Sequence, residues 1–147
     1  MQDNNWPIEK VAWAAGFFDG EGCISARTSY TYSTRRSKNK VMIAFLVVTV
    51  VQKDKKPLEI LEQMFGGALR LNRNKTGYPI HVLELYGQKA MNMLEILLPY
   101  LIAKKSQAEL ALTMKNDFQP GKLLTQEQII ARQHWHTQMR QLKSVII

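Results

Sequence analysis

The chain has 147 residues, 46% hydrophobic and 22% charged, a globular composition with enough length for one domain and its own core. No apolar run approaches the roughly 18–20 residues of a membrane span, and the start MQDNNWPIEK carries two acids and no Arg, unlike a secretory or transit leader. Lys and Arg total 20 against 12 acids, a net charge of +8, and the excess is concentrated: between Arg27 and Lys56 lie eight bases and one acid, Asp54.

Pro7 to about Gly20 reads as a helix, with Pro7 suited to a first helical position and Trp6 just outside. Val11, Ala14, Ala15 and Phe18 repeat at helical spacing, and Gly20 and Gly22 mark the end. From Cys23 the pattern becomes extended. Arg27, Ser29, Thr31, Ser33 and Arg35 alternate with Ala26, Thr28, Tyr30, Tyr32 and Thr34, lining one face with hydrogen-bonding groups. The basic loop RRSKNK follows, then Val41 to Val51 is apolar and β-branched enough for a buried strand, so the segment forms a hairpin with a charged tip.

Asp54 to Phe65 is a short amphipathic helix stopped by Gly66-Gly67. Leu69–Lys75 and Tyr78–Tyr86 form a second hairpin around Thr76-Gly77. Gly87 to Leu98 is helical, ended by Pro99. Two capping boxes, Ser106-Gln-Ala-Glu109 and Thr125-Gln-Glu-Gln128, open two further helices, running to about Asn116 and Ser144. The fold class is therefore α+β in the order αββαββα plus C-terminal helices. Two hairpins make a four-stranded, mainly antiparallel sheet with helices on one face. One domain is expected over 1–147, its core at about 8–117 and a helical extension at about 122–147.

The basic surface points to a polyanion, nucleic acid before anionic lipid; no basic amphipathic helix with aromatic anchors supports a membrane surface. The chemistry concentrates at the end of the first helix, AAGFFDGEG. Ala12, Gly16 and Gly20 lie on one helical face, and small residues at this spacing let two helix backbones approach closely. Gly inside a soluble helix costs about 1 kcal/mol relative to Ala, and packing against a second copy of the helix supplies a reason for it. Asp19 and Glu21 stand at the negative pole of the helix dipole, where carboxylates are disfavoured and a bound cation reverses the sign. Two such helices meeting on a two-fold axis bring the two Glu21 carboxylates together, a divalent-metal arrangement suited to phosphodiester hydrolysis.

Ala14-Ala15-Gly16-Phe17-Phe18-Asp19-Gly20-Glu21-Gly22 resembles the signature of the LAGLIDADG homing endonucleases. The element order resembles their domain as well, over roughly residues 8 to 117. The motif occurs once, as in the small homodimeric members. The resemblance implies a site-specific endonuclease making metal-dependent double-strand breaks at a long, near-palindromic target during intron homing. A non-cleaving binder on the same fold, an intron RNA splicing maturase or a DNA-binding regulator, is the alternative. The implied cofactor is Mg²⁺, with Mn²⁺ as substitute; the implied partners are double-stranded DNA and a second copy of the chain. The implied setting is a chloroplast, a mitochondrion or a bacterial cytoplasm.

By the same resemblance, Glu21 is the metal-binding carboxylate, with the Gly20 carbonyl as a further metal-facing oxygen, and Asp19 is structural. Gln52 matches a polar, water-organising position, with Lys56 four residues on. Lys104, after Leu98-Pro99-Tyr100-Leu101, matches a catalytic lysine; Lys105 is its adjacent competitor. The sheet face opposite the helices is expected to read bases through Arg27, Ser29, Thr31, Ser33 and Arg35, then through Arg70 and Asn72, whose register can be read either way. Arg36, Lys38, Lys40 and Lys75 at the tips suit phosphates. The second strand departs from the family in being almost wholly apolar, which leaves either Val47, Thr49 or Val51 to touch thymine methyls or the strand to contribute little to sequence readout. His134 and His136 point to different sides of a helix, which argues against zinc, and Cys23 reads as a half-buried thiol.

Overall fold

In the computed structural model, residues 5–32, 40–73, 75–115 and 124–144 are described. The expected contacts at Ser33, Arg35, Arg36 and Lys38, and the side chain of Thr31, lie outside the described residues.

Helix α1 covers Ile8–Glu21, with Pro7 as its N-cap one position before the helix rather than inside it. Strands β1 (Gly22–Tyr32) and β2 (Lys40–Gln52) pair antiparallel, with Gly22 opposite Val50 and Arg27 opposite Phe45. Helix α2 (Lys56–Phe65) leads to β3 (Ala68–Arg73) and β4 (Pro79–Tyr86). Helix α3 (Gly87–Leu97) ends in a 3₁₀ turn at Leu98–Tyr100, and α4 (Lys105–Leu112) and α5 (Gln126–Ser144) follow. All pairings are antiparallel and the sheet order is β1-β2-β4-β3. The αββαββα order with additional helices is thus present as read.

Alternation decides which face is buried. Ile24 on β1, Ala44, Leu46, Val48 and Val50 on β2, and Leu83 and Leu85 on β4 meet Val11, Ala14, Ala15 and Phe18 of α1 in one core. The helices cover that face of the sheet. Gly22 is needed at the turn from α1 into β1: a Cβ there would stand 2.2 Å from the Phe18 ring. Phe18 is fully buried, and its removal would cost about 3–5 kcal/mol.

Helix α5 belongs to this core rather than trailing from it. Trp135 and Met139 are buried in the same cluster, and the Trp135 indole N–H donates to the Leu110 carbonyl at 3.0 Å. Gln133 Nε2 and Lys143 Nζ reach the Met42 and Ile24 carbonyls at 3.3 and 2.9 Å, fixing α5 across β1 and β2.

The two capping boxes fare differently. At Thr125 the box forms in both directions, Gln128 N–H to Thr125 Oγ1 at 3.1 Å and Thr125 N–H to Gln128 Oε1 at 2.9 Å. At Ser106 it does not, because α4 starts at Lys105 with Lys104 as N-cap, which places Ser106 inside the first turn. The donors ahead of that helix go to Asp19 instead. No helix among the described residues is long and apolar enough to cross a membrane.

Candidate active site and nucleic-acid interface

The end of α1 is tied to the start of α4. Asp19 Oδ2 accepts the backbone N–H groups of Ile102 and Ala103 at 2.8 and 3.0 Å, and Oδ1 accepts that of Lys104 at 2.9 Å. Partial burial works to raise the Asp19 pKa, but these three donors outweigh it and hold the carboxyl below its ordinary 3.8. In return Lys104 Nζ donates to the Asp19 carbonyl at 2.6 Å. An ammonium at a helix C-terminus satisfies a carbonyl there and opposes the negative pole of the dipole. Lys104 therefore sits at the helix end that carries Glu21, whereas Lys105 is exposed in the first turn of α4 with no such tie.

Glu21, two residues on, is exposed, and among the described residues no hydrogen bond or ion pair engages its carboxylate. Gly20 beside it is also exposed. The oxygen set here, one unengaged carboxylate and helix-end carbonyls, suits a hard cation such as Mg²⁺, which binds through one or two carboxylates plus waters and phosphate oxygens. No group of three or more His, Cys, Asp or Glu residues gathers into a metal cage within the described residues, His134 and His136 included. The ladder brings β2 past the same point: Val50 is opposite Gly22, and Gln52 lies two residues beyond. Gln52 is partly buried and Lys56 is exposed.

Ala12, Gly16 and Gly20 are all exposed on α1, opposite Val11, Ala14, Ala15 and Phe18. A Cβ added at Gly16 or Gly20 would meet nothing within 4 Å. Packing inside this chain therefore does not require either glycine. Trp13 and Phe17 stack beside the small-residue face with ring centroids 5.5 Å apart, and Trp13 stays 39% exposed.

The sheet face turned from the helices carries Cys23, Ser25, Arg27 and Ser29 of β1. Arg70 and Asn72 join it from β3, which settles their register: Arg70 is opposite Val82 and reaches Glu84, while Leu69 packs against the core. Arg27, Ser29, Arg70, Asn72 and, at the hairpin tip, Lys75 are exposed, as is Lys40 at the start of β2. Cys23 lies on this outward parity, open to solvent on one side. Its thiol contacts Ser25 Oγ at 3.2 Å and Lys143 Nζ at 3.4 Å.

The residue that composition and alternation missed is Glu84. It is 4% exposed in the middle of this face, takes two hydrogen bonds from Arg70 at 2.7 and 3.3 Å and one from the Tyr86 hydroxyl, and lies 3.8 Å from Arg27. The Tyr86 hydroxyl, with the Arg70 and Arg27 charges, outweighs its desolvation and holds its carboxyl below the usual range. The one available sequence signal was a lone acid inside the apolar run IHVLELY.

Strand β2 explains itself in the same terms. Val47 on its outward side is fully buried and the Thr49 hydroxyl is sealed from solvent, whereas Ile43 and Phe45 are partly exposed and Val51 is 41% exposed. Thr49 Oγ1 has no hydrogen-bond partner among the described residues. A buried hydroxyl without a partner costs about 1–3 kcal/mol, so Thr49→Val is expected to stabilise the fold by about 1 kcal/mol. Urea unfolding would show it as a higher midpoint at unchanged slope.

The family model described as LAGLIDADG endonuclease matches residues 14–116. No protein with a curated description matches the chain. Among solved structures, the homing endonuclease I-CvuI, in complex with the I-CreI target in 2 mM Mg with its DNA not cleaved, is 28% identical. That match covers 91% of this chain and 82% of I-CvuI, with a TM-score of 0.73. The homing endonuclease I-TnaI shares the fold at 20% identity and TM-score 0.66, over 93% of this chain and 97% of its own. The meganuclease I-SmaMI does so at 18% and 0.69, over 96% of this chain but 48% of its own. With the signature at the end of α1, the αββαββα sheet and the family model spanning both hairpins, the chain belongs to the LAGLIDADG endonuclease family.

Proposed function

We propose that this protein is a homodimeric DNA endonuclease that makes Mg²⁺-dependent double-strand breaks at a long, near-palindromic target, with intron homing as its setting. The observation that carries this reading is the division of labour between the two motif acids. Asp19 has both oxygens engaged by backbone donors, whereas Glu21 stands exposed and unengaged at the negative end of the same helix. That is the condition for binding a cation rather than for holding the fold.

Glu21 and the Gly20 carbonyl would hold Mg²⁺, or Mn²⁺ in its place. The bound ion supplies an activated water and neutralises charge on the scissile phosphate. Gln52 orients water without itself titrating in the working range. Lys104, held by its contact with the Asp19 carbonyl, places positive charge where negative charge develops on phosphate oxygens. Arg27, Ser29, Arg70 and Asn72 read bases in the major groove, and Lys40, Lys56 and Lys75 take phosphates. Support from a relative comes from I-CvuI, solved on DNA with Mg and with Ca.

Two chains are needed because the motif of one carries a single unengaged acid, Glu21, among the described residues. The exposed Ala12, Gly16 and Gly20 face lets two α1 helices approach closely enough to place both Glu21 side chains at one axis. The match to about half the length of I-SmaMI is consistent with a site shared by two such units.

The test is a plasmid-library cleavage assay in Mg²⁺, Mn²⁺, Ca²⁺ and EDTA, with the cut sequences read out. Linear product at one recurrent site in Mg²⁺ and Mn²⁺ alone is expected. Tight, selective binding with no cutting in either metal would favour a maturase or regulator on the same fold. Gly16→Leu separates the assembly claim. Leu should leave the monomer folded, even slightly more stable since Gly costs a helix about 1 kcal/mol, yet push the helices apart. Sedimentation should show the parent as a dimer of 16.9 kDa chains and the variant as a monomer. A monomeric parent bound one chain per site would defeat the dimer.

A further inference from the structure

Arg27 and Arg70 stand on opposite edges of the sheet, on β1 and β3, and both turn toward one carboxylate between them. Glu84 Oε1 takes Arg70 Nη2 at 2.7 Å and lies 3.8 Å from Arg27 Nη1; Oε2 takes Arg70 Nη1 at 3.3 Å and the Tyr86 hydroxyl. The Glu84 side chain is 5% exposed, whereas those of Arg27 and Arg70 are 45% and 48% exposed. The carboxylate therefore lies beneath the two guanidinium groups and is not itself open to a base.

The backbone around it is built for this. Gly67 opens β3 at φ +102°, and a Cβ there would lie 2.8 Å from the Glu84 carbonyl and 2.9 Å from Leu85. This close approach lets Ala68, the small residue opposite Glu84, lead Arg70 across the carboxylate. Phe45, opposite Arg27, packs at 6.3 Å against the Tyr86 ring whose hydroxyl completes the Glu84 shell. Residues from all four strands thus fix one buried acid.

A guanidinium carries five N–H donors, and two of those on Arg70 are used by Glu84. The remainder lie in the same guanidinium plane, on a side chain that is 48% exposed. A free Arg samples many rotamers and is drawn to any phosphate, but a held one presents its fork at one place, which bidentate recognition of guanine requires. We propose that Glu84 is a specificity-determining positioning residue: it holds Arg70, and steadies Arg27, as two preset guanine readers while offsetting one of their two charges against unselective attraction to phosphates. This rests on the DNA-binding reading above and adds to it which bases are read and what fixes the readers.

The experiment is selection from a pool of duplexes randomised across the site, in Ca²⁺ so that no cleavage intervenes, for the wild type, Glu84→Gln and Glu84→Asp. Competition titrations on the selected consensus then give discrimination position by position. The wild type is expected to select guanine at two pairs per half-site. Glu84→Gln should lose roughly tenfold or more of that preference at those pairs, keep the others within about twofold, and bind random duplex more tightly. Glu84→Asp, which keeps the charge but not the reach, should lose the same preferences without the gain on random duplex. It carries the test should the glutamine variant fail to fold. A general loss of fold stability would not single out two base pairs. If the wild type selects a consensus and both folded variants select it with unchanged discrimination, the positioning role is overturned. If the wild type selects no sequence, the DNA-binding reading itself fails.

Discussion

Glu21→Gln is expected to cut no DNA while binding its target as tightly as the parent or more tightly. The substitution keeps the shape of the side chain and removes one negative charge. That charge stands at a helix C-terminus, where the dipole already disfavours it, and would face the phosphates of a bound duplex. Without metal it is a repulsive group, so its loss favours binding. With metal it is the only unengaged carboxylate at the motif, so its loss removes the ion from the site. The cleavage rate in Mg²⁺ should fall about 10³-fold or more, the scale on which enzymes lose rate when charge stabilisation at the reacting centre is removed. Lys104→Ala and Gln52→Ala should slow the chemical step with smaller effects on binding, because their contributions appear as charge develops. Single-turnover cleavage beside a binding titration in Ca²⁺ separates the two quantities. A Glu21→Gln variant that cuts like the parent would reassign the metal position while leaving the family unaffected.

The elements that sequence alone made legible are those whose patterns are local. The α1 stripe, the alternation of β1, the Gly66-Gly67 stop and the Thr125 capping box each declare themselves within a few residues, and each stands where it was expected. The two features that most sharpen the site are pairings across long separations. Asp19 meets its three donors more than 80 residues away, and nothing near Asp19 in sequence announces them. The misread capping box at Ser106 is the other side of the same contact: a local motif there competes with a carboxylate delivered by the fold, and the fold wins. Glu84 was hidden for a related reason. An acid in an apolar strand reads as a minor irregularity until the register of β3 on β4 and of β1 on β2 brings two arginines to it. The apolar character of β2, which looked like a departure from a DNA-reading strand, follows from that arrangement. Val47 is fully buried and the Thr49 hydroxyl is sealed from solvent, while the exposed polar side chains of this face stand on β1 and β3.

Among the polar residues around the motif, the largest structural effect is expected at Asp19. Asp19→Ala removes the charged acceptor of three backbone N–H groups at the entrance to α4, those of the exposed Ile102 and Ala103 and of the partly buried Lys104. A loss of about 1–3 kcal/mol in unfolding free energy follows if the segment cannot find other acceptors. The catalytic consequence should exceed what that loss alone would produce, because the same contact places Lys104. With the loop from Ile102 to Lys104 released, Lys104 Nζ no longer has a fixed position over the end of α1, and the cleavage rate should fall even at temperatures where the variant remains folded. Asp19→Asn keeps one acceptor oxygen and should fall between the two. The pH dependence gives an independent check. Because the folded-state pKa of Asp19 is held below its ordinary value, the stability it contributes is complete above that value and is lost as pH falls through the lowered one. Parent stability should therefore decline on the acid side, below about pH 4, where Asp19→Asn should show a shallower decline and no difference in slope near neutrality. Parallel acid profiles for parent and variant would mean that the three donors contribute nothing net to the fold. A variant that melts early but cuts at the parent rate when folded would separate Asp19 from the placement of Lys104, and leave that lysine positioned by α4 alone.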